Sequence, residues 1–152
     1  MGFQFQNNPP SFDLGISVTK GLVEDFSAVG QFGYNTAIST SFETVWGVGG
    51  LPVYPTTATG CAVTSSNTVA DNDGTVLVTG LDADYNQVTA TATIGGGATA
   101  QTFIRVFSLR MLNANTGDSN VGTLTATVDS KTVGTVVIGY GSSLSVIYTI
   151  PA

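Results

Sequence analysis

The stretch from residue 74 to residue 94, GTVLVTGLDADYNQVTATATI, constrains the fold more than any other part of the sequence. Its second half alternates threonines with small apolar residues, and the apolar face carries Val88, Ala90, Ala92 and Ile94. This period of two is typical of a strand that is buried on one face only. The polar residues 82–86 predict a turn, because short Asp and Asn side chains bond nearby backbone groups. The stretch therefore predicts two strands, 75–81 and 87–94, joined by that turn.

Most of the sequence downstream repeats this logic in short segments separated by turn residues. In residues 121–129, threonines alternate with an apolar face formed by Leu124, Ala126 and Val128. Further strands are predicted at 61–65, 102–112, 132–140 and 144–150, with turns at Ser130-Lys131 and Gly141-Ser142 and a flexible glycine-rich connection at 95–100. Many short strands separated by turns predict an all-β fold, an antiparallel β-sandwich or jelly-roll-like domain.

The longest apolar run, TFIRVFSLRML at 102–112, contains a charged residue, Arg105, among apolar neighbours. As one continuous strand, it would place Arg105 on the same face as Phe103, Phe107, Leu109 and Met111. A guanidinium on an apolar face is costly unless it is paired. We expect Arg105 either to meet a carboxylate or to extend its head into solvent at the sheet edge.

The composition disfavours several classes of function. Charged residues form only 9% of the chain, whereas about 25% is usual in globular domains. The net charge is −6 and the four basic residues form no cluster, so nucleic-acid binding is not expected. The sequence contains no histidine, which removes the commonest general base and metal ligand. The single cysteine, Cys61, cannot form an intrachain disulfide and is predicted to be a buried apolar residue.

The sequence shows no feature that predicts a membrane partner. The first ten residues, MGFQFQNNPP, have neither the basic region nor the apolar region of a signal peptide. No apolar run is long enough to span a bilayer. A chain that needs no disulfide suits synthesis in a reducing cytoplasm.

Two segments, one acidic and one rich in glycine, are candidate binding motifs. Asp82, Asp84 and Asn86 have the spacing that opens a calcium loop, but Gln87 and Thr93 occupy the positions of the required Gly and Glu. A hairpin turn is the better interpretation. GGGATA at 95–100 lacks the Lys-Ser/Thr pair of a phosphate loop. We therefore predict no catalytic, cofactor-binding or metal-binding residue, and we expect that the protein is not an enzyme.

The N-terminal part of the chain differs from the regular strands that follow. Residues 1–13 predict an extended arm, because Pro9 and Pro10 cannot continue a helix or a central strand. Its apolar side chains, which we expect to pack on the domain or on another subunit, are Phe3, Phe5 and Phe12. Residues 14–59 predict an irregular wrapping segment with a short strand near Phe42 to Trp46, in which Trp46 is a core anchor. Residues 60–152 predict the sandwich core, and 14–152 are expected to form one domain.

Six pieces of the chain, taken in order, resemble a family of virion structural proteins of tailed bacteriophages, especially phages of marine bacteria and cyanobacteria. They are KGLVEDFSAVGQFGYN at 20–35, SFETVWGVGG at 41–50, TVLVTGLDADYNQVTATATIGG at 75–96, TFIRVFSLRM at 102–111, SNVGTLTA at 119–126 and SLSVIYTIPA at 143–152. Members of the family commonly continue past the IYTIPA motif with a Gly-Lys segment and further strands, whereas this sequence stops at Ala152.

The resemblance implies assembly into a particle rather than catalysis. It implies a head-decoration, fibre or tail-associated role, a location in the virion after synthesis in the host cytoplasm, and contact with the major capsid protein or other virion proteins. A homo-oligomer is expected, and phage architecture favours a trimer. The tentative assembly interface is the arm, through Phe3, Phe5, Pro9, Pro10 and Phe12.

A second class of function, a receptor- or glycan-binding module, stays open. It predicts exposed aromatic residues in loops, for which the candidates are Tyr54, Tyr85 and Tyr140. The T-x-T-x-T runs at 89–93 and 123–127 could bind ordered water or line a sugar site, although Thr is also favoured on the solvent-facing side of a sheet. An enzyme that hydrolyses a polysaccharide is the least favoured class.

Overall fold

A computed structural model describes Gly33, Thr40 and residues 45–49, 51–115, 117 and 119–145, all of which belong to the unit Gln31–Ala152. The described residues form seven strands and no helix, so the predicted all-β class is confirmed. The strands are β1 (Thr59–Ser65), β2 (Thr75–Leu81), β3 (Gln87–Thr93), β4 (Ala98–Phe103), β5 (Arg105–Asn113), β6 (Leu124–Val128) and β7 (Lys131–Val136).

The strands form two antiparallel sheets that face each other in a β-sandwich. The four-stranded sheet has the order β4-β1-β6-β7, and the three-stranded sheet has the order β3-β2-β5. The predicted pair β2 and β3 is present in one uninterrupted register, from Thr75 opposite Thr93 to Leu81 opposite Gln87. The sandwich follows from the alternation in the sequence, because each sheet turns its apolar face towards the other.

The core lies between the sheets and contains the inward side chains that the alternation predicts. Val76 and Val78 of β2 are fully buried, as are Leu124, Ala126 and Val128 of β6. Burial of each such Val or Leu side chain contributes about 1.5–3 kcal/mol to folding. The core therefore supplies the main stabilisation of the described part.

Cys61 belongs to the same core, as predicted. Its side chain is fully buried, and desolvation raises the pKa of the thiol from 9.0 to about 12. The thiol consequently stays protonated and unreactive at neutral pH, because the thiolate is the reactive form of cysteine.

The apolar run at 102–112 is not one strand, which corrects the prediction from the sequence. β4 ends at Phe103 in the four-stranded sheet, and β5 begins at Arg105 in the three-stranded sheet. Ile104 makes the crossing and donates its N–H to the Leu81 carbonyl, 2.8 Å away. The predicted connection at 95–100 was also too long, because β4 already begins at Ala98.

A bulge in β5 overturns the predicted single apolar face. Thr79 lies opposite Ser108 and Gly80 lies opposite Val106, so Phe107 is an extra residue. The extra residue reverses the alternation: Val106 joins the main core, whereas Phe107 packs in a separate cluster with Leu81 and Ile104. Gly80 suits this site because a Cβ there would collide with the Arg105 carbonyl.

The C-terminal half of the sandwich also departs from the predicted boundaries. The β6–β7 turn is formed by Asp129 and Ser130, with φ angles of 50° and 58°, one residue earlier than expected. Positive φ at both positions is typical of the type I′ turn that suits a two-residue hairpin. β7 ends at Val136 rather than continuing to residue 140. Of the predicted strand 144–150, residues 144 and 145 are not in a strand and the rest lies outside the described residues.

After β7 the chain returns to cover the edge of β5. Met111 donates its N–H to the Gly141 carbonyl at 2.7 Å, and Ser143 donates its N–H to the Leu109 carbonyl at 2.8 Å. The Leu109 N–H donates to the Ser143 hydroxyl at 3.0 Å. Main-chain groups at the edge of this strand are thus partnered by the same chain.

Candidate functional site

The predicted arm residues are outside the part of the chain that the structure describes. This applies to Phe3, Phe5, Pro9, Pro10 and Phe12, and to the whole segment 1–13. Most of the predicted wrapping segment 14–59 lies outside as well. In its described part Trp46 is buried, as predicted, but Val45 and Trp46 are not in a strand.

Two of the three candidate tyrosines lie together at one end of the sandwich. Tyr54 and Tyr85 flank Arg105, and we call these three residues the arginine end. Both rings remain partly accessible, Tyr54 at 46% and Tyr85 at 39% exposure. Tyr140 is exposed in the turn that follows β7, close to Asn120, whose carbonyl accepts the Gly139 N–H.

The arginine end forms because three segments of the chain meet there. Arg105 lies opposite Leu81, the last residue of β2, and therefore next to the turn 82–86. The Asp82 carboxylate accepts the N–H groups of Asp84 and Asn86, both at 2.9 Å. This carboxylate organises the hairpin turn that the sequence predicted. The turn holds Tyr85 at a φ of 63°, which is uncommon for a residue other than glycine.

Arg105 is half-buried, and its partners differ from those that the sequence analysis expected. Its Cζ lies 4.5 Å from the centroid of the Tyr54 ring and 6.0 Å from that of Tyr85. Its Nη1 donates to the Ile104 carbonyl at 2.7 Å and to the Pro55 carbonyl at 3.3 Å. The guanidinium is therefore stabilised by ring faces and main-chain oxygens, and no carboxylate of the described residues pairs with it. Each cation–π contact of this kind contributes about 0.5–1 kcal/mol.

A shallow cleft lies beside Tyr54 and Arg105. Its empty space is about 320 Å³, part of which is open to solvent, and its remaining lining residues are Trp46, Pro52, Val53, Pro55, Val106, Phe107 and Val133. The indole Nε1 of Trp46 donates to the Gly49 carbonyl at 3.1 Å. The cleft thus joins a mostly apolar wall to the exposed Tyr54 ring.

Asp129 fixes the segment that carries Tyr54. Its Oδ2 accepts the Thr56 N–H and the Thr56 hydroxyl, both at 3.1 Å, and the Thr57 N–H at 3.2 Å. The two bonds from Thr56, followed by the bond from Thr57 and the charge of Lys131, hold the pKa of this carboxyl below its ordinary value. The loop that presents Tyr54 is therefore tied to the β6–β7 turn.

A second carboxylate organises the opposite end of β1. Asp71 is 1% exposed, and its carboxylate accepts the Ser65 hydroxyl at 2.5 Å, the Val121 N–H at 2.8 Å and the Gly122 N–H at 2.7 Å. Burial alone would raise the pKa of Asp71, but these three bonds outweigh it and lower the pKa below the ordinary value. We call Asp71, Ser65, Val121 and Gly122 the aspartate end.

Asn120 supports the aspartate end from the neighbouring position. Its buried amide donates to the Gly122 carbonyl at 2.7 Å and to the Val137 carbonyl at 2.9 Å, and its oxygen accepts the Gly141 N–H at 3.1 Å. The amide therefore connects the β5–β6 loop to the segment that follows β7 with one side chain.

Sequence reasoning missed the roles of Asp71, Asp129 and Asn120. The sequence around Asp71, ADNDG, shows only a plain Asp-Gly turn. Its main-chain donors nevertheless lie 50 and 51 residues further along the chain. Asp129 accepts hydrogen bonds from Thr57 and Thr56, which lie 72 and 73 residues earlier in the chain. No local pattern signals such partners, because they become neighbours only when β1 pairs with the distant strand β6 in the four-stranded sheet.

The arrangement offers a surface that can contact a ligand or a partner. Exposed rings beside an apolar cleft can stack against a flat ligand, whereas the carboxylates described above bind the protein's own backbone. Within the described ranges, no three His, Cys, Asp or Glu side chains are grouped to hold a metal ion. The same ranges contain no helix of the length and hydropathy needed to cross a membrane. Comparisons with known protein families, curated proteins and solved structures found no match.

Proposed function

We propose that this protein is a non-enzymatic structural component of a tailed-phage virion, namely a capsid decoration or head-fibre protein. The observation that carries the proposal is how the ionisable groups are used. Asp71, Asp82 and Asp129 accept hydrogen bonds from backbone N–H groups, and Arg105 donates to backbone carbonyls. These four ionisable groups hold loops on the sandwich, which suits a durable contact module.

The partners in this proposal are the major capsid protein or other virion proteins, together with further copies of the chain. The six segments that resemble the phage family occur in the family's order, which supports the proposal. The low content of charged residues and the apolar arm residues Phe3, Phe5 and Phe12 support it as well. An arm anchored by aromatic side chains would insert into a neighbouring subunit, while the sandwich remains on the surface of the particle.

The experiment is co-sedimentation of the purified chain with empty shells assembled from the major capsid protein. The full chain should sediment with the shells, and a chain lacking residues 1–13 should stay in the supernatant. A matched control is Val69→Ser, which removes an 84% exposed apolar side chain outside the arm and should leave binding unchanged. Equal binding with and without the arm would refute attachment through it, and no binding by the full chain would refute the decoration role.

The arginine end favours a second candidate function, a receptor- or glycan-binding module. Tyr54 and Tyr85 are the only two of the candidate tyrosines that the structure brings together, and both rings are partly exposed. Aromatic faces supply large contact area at low entropic cost. Binding of the purified chain to a glycan array should then be lost in Tyr54→Ala and kept in Tyr140→Ala. A chain that binds no glycan would remove this candidate.

A further inference from the structure

The sandwich has four outer strands, and three of them carry features that discourage pairing with another chain. Residues 141–143 cover β5, as described above. In β4, residues 99–101 bulge opposite Cys61, whose N–H donates to the Thr99 hydroxyl at 3.0 Å rather than to a main-chain oxygen. β7 is bulged at Val133 and begins with the exposed Lys131. Bulges, lysines and covering segments are the usual protection of sheet edges.

The fourth outer strand, β3, has none of these features within the part of the chain that the structure describes. Its seven residues, QVTATAT, contain no charge, proline or glycine. Its pairing with β2 runs through all seven positions without a register shift. The side chains of Gln87, Thr89, Thr91 and Thr93 are exposed. A flat, regular and uncharged edge is the type of strand that adds to a sheet of another molecule.

Hydrogen bonds at the end of β3 identify which main-chain groups point outward. Ile94 donates its N–H to the Gly74 carbonyl at 2.8 Å and accepts the Asp73 N–H at 3.2 Å, so both of its groups face β2. Main-chain groups of successive residues in an antiparallel ladder alternate in direction. The N–H and C=O groups of residues 87, 89, 91 and 93 therefore face the open edge.

We propose that β3 pairs antiparallel with β3 of a second copy of this chain, about a two-fold axis at Ala90. This register uses the whole strand and joins the two three-stranded sheets into one continuous sheet. On the outer face it places Thr89 opposite Thr91 of the partner subunit. On the inner face it places Ala90 opposite Ala90 of the partner subunit as a non-hydrogen-bonded pair.

The chemistry of the strand matches a second copy better than a charged partner. The chain carries a net charge of −6, yet β3 contributes none of it, so the seam brings no like charges together. Threonines opposite each other in a sheet form a favourable cross-strand pair. A two-fold axis makes every contact occur twice, as in most homodimers.

The pairing does not depend on the proposed role in the virion. Attachment through the arm is tested by binding to shells, whereas pairing through β3 is tested by the mass of the free protein in solution. A chain that pairs through β3 but fails to bind shells would refute only the decoration role, and the reverse result would refute only the pairing.

The first test is the mass of the full chain by sedimentation equilibrium over a range of concentrations. Thr91→Pro removes an outward N–H from each copy while leaving the bonds to β2 intact, and Thr91→Lys adds a charge at the same place. Both should raise the dimer dissociation constant roughly tenfold or more. The matched control is Thr64→Lys, an exposed threonine on the central strand β1, which should leave the constant unchanged.

The second test checks the register. Ala90→Cys should form an intermolecular disulfide under mild oxidation, because Cα atoms of such a non-hydrogen-bonded pair are about 4.5 Å apart. Thr64→Cys should not cross-link, and buried Cys61 should not compete. A monomer at every concentration would overturn the proposal. An oligomer whose mass is unaffected by both Thr91 variants, with no cross-link through Ala90→Cys, would overturn it as well.

Discussion

Asp71 and Asp129 each accept three hydrogen bonds, but Asp71 is buried and Asp129 lies at the surface. Asp71 binds Ser65, Val121 and Gly122 at one end of β1. Asp129 binds Thr56 and Thr57 at the other end. The pKa of both carboxyls is lowered. The difference teaches that burial, and not the number of bonds, decides what the loss of a carboxylate costs, because water can replace a lost partner only at the surface.

The largest effect is expected for Asp71→Ala. It leaves the buried donors of Ser65 and Gly122 and the part-buried N–H of Val121 without an acceptor. Each buried unsatisfied group costs about 1–3 kcal/mol. We expect the free energy of unfolding to fall by roughly 3 kcal/mol or more, measured by urea denaturation. Thr68→Ala, an exposed position in the same loop, is the control and should change little. If Asp71→Ala lowered the free energy of unfolding by less than an ordinary surface substitution does, the proposed distinction between buried Asp71 and surface Asp129 would be wrong.

The next effect is the dependence of stability on pH. A carboxyl whose pKa is lowered by folding stabilises the native state above its unfolded pKa, near about 3.9. That contribution is lost as the pH falls through the folded pKa. Unfolding free energy should therefore decline in acid below about pH 4, and the decline should be smaller in Asp71→Asn than in the natural chain. An identical acid profile in Asp71→Asn would show that Asp71 is not the group responsible.

A smaller effect is expected for Arg105→Ala at the arginine end. The variant loses the contact with the Tyr54 ring and two bonds to carbonyl groups, for a cost of about 1 kcal/mol. Because Tyr54 and Trp46 line the same cleft, the tryptophan fluorescence should also change. Arg105→Lys keeps the charge without the planar group and should restore only part of both signals. If fluorescence and stability were unchanged in both variants, the contact between Arg105 and the Tyr54 ring would not stabilise the cleft.

The smallest effect is expected for Asp129→Asn. Its bonds to Thr56 and Thr57 are exposed, so water can replace them. We expect a slight decrease in Tm together with faster hydrogen exchange of the Thr56 and Thr57 amides, measured by NMR. The Val121 and Gly122 amides at the aspartate end should keep their protection. If Asp129→Asn destabilised the fold as much as Asp71→Ala, burial would not be the deciding factor.

Local pattern alone was sufficient for much of the sandwich. The alternation of threonine with small apolar residues predicted β3 and its pairing with β2, and the same pattern predicted the inward face of β6. The hairpin turn at Asp82 followed from residue chemistry as well. Each of these features depends on neighbours within a few residues, which is the range over which a sequence pattern carries information.

The candidate site was only partly predictable. Tyr54 and Tyr85 could be named as exposed aromatic residues, but nothing in the sequence showed that Arg105 would bring them together while Tyr140 lies elsewhere. Their meeting depends on the register between β2 and β5 and on the anchoring of the segment before β1. Both are long-range features.

The sequence by itself determined the class of the fold, the faces of its regular strands and the burial of Cys61 and Trp46. Only the tertiary structure decided that the run at 102–112 divides between two sheets, that Phe107 is the extra residue of a bulge, and that Asp71 binds a loop 50 residues away. The physical reason is that a strand's alternation is set by its own backbone. A crossing, a bulge or a buried carboxylate is stable only when distant segments supply the packing and the hydrogen bonds.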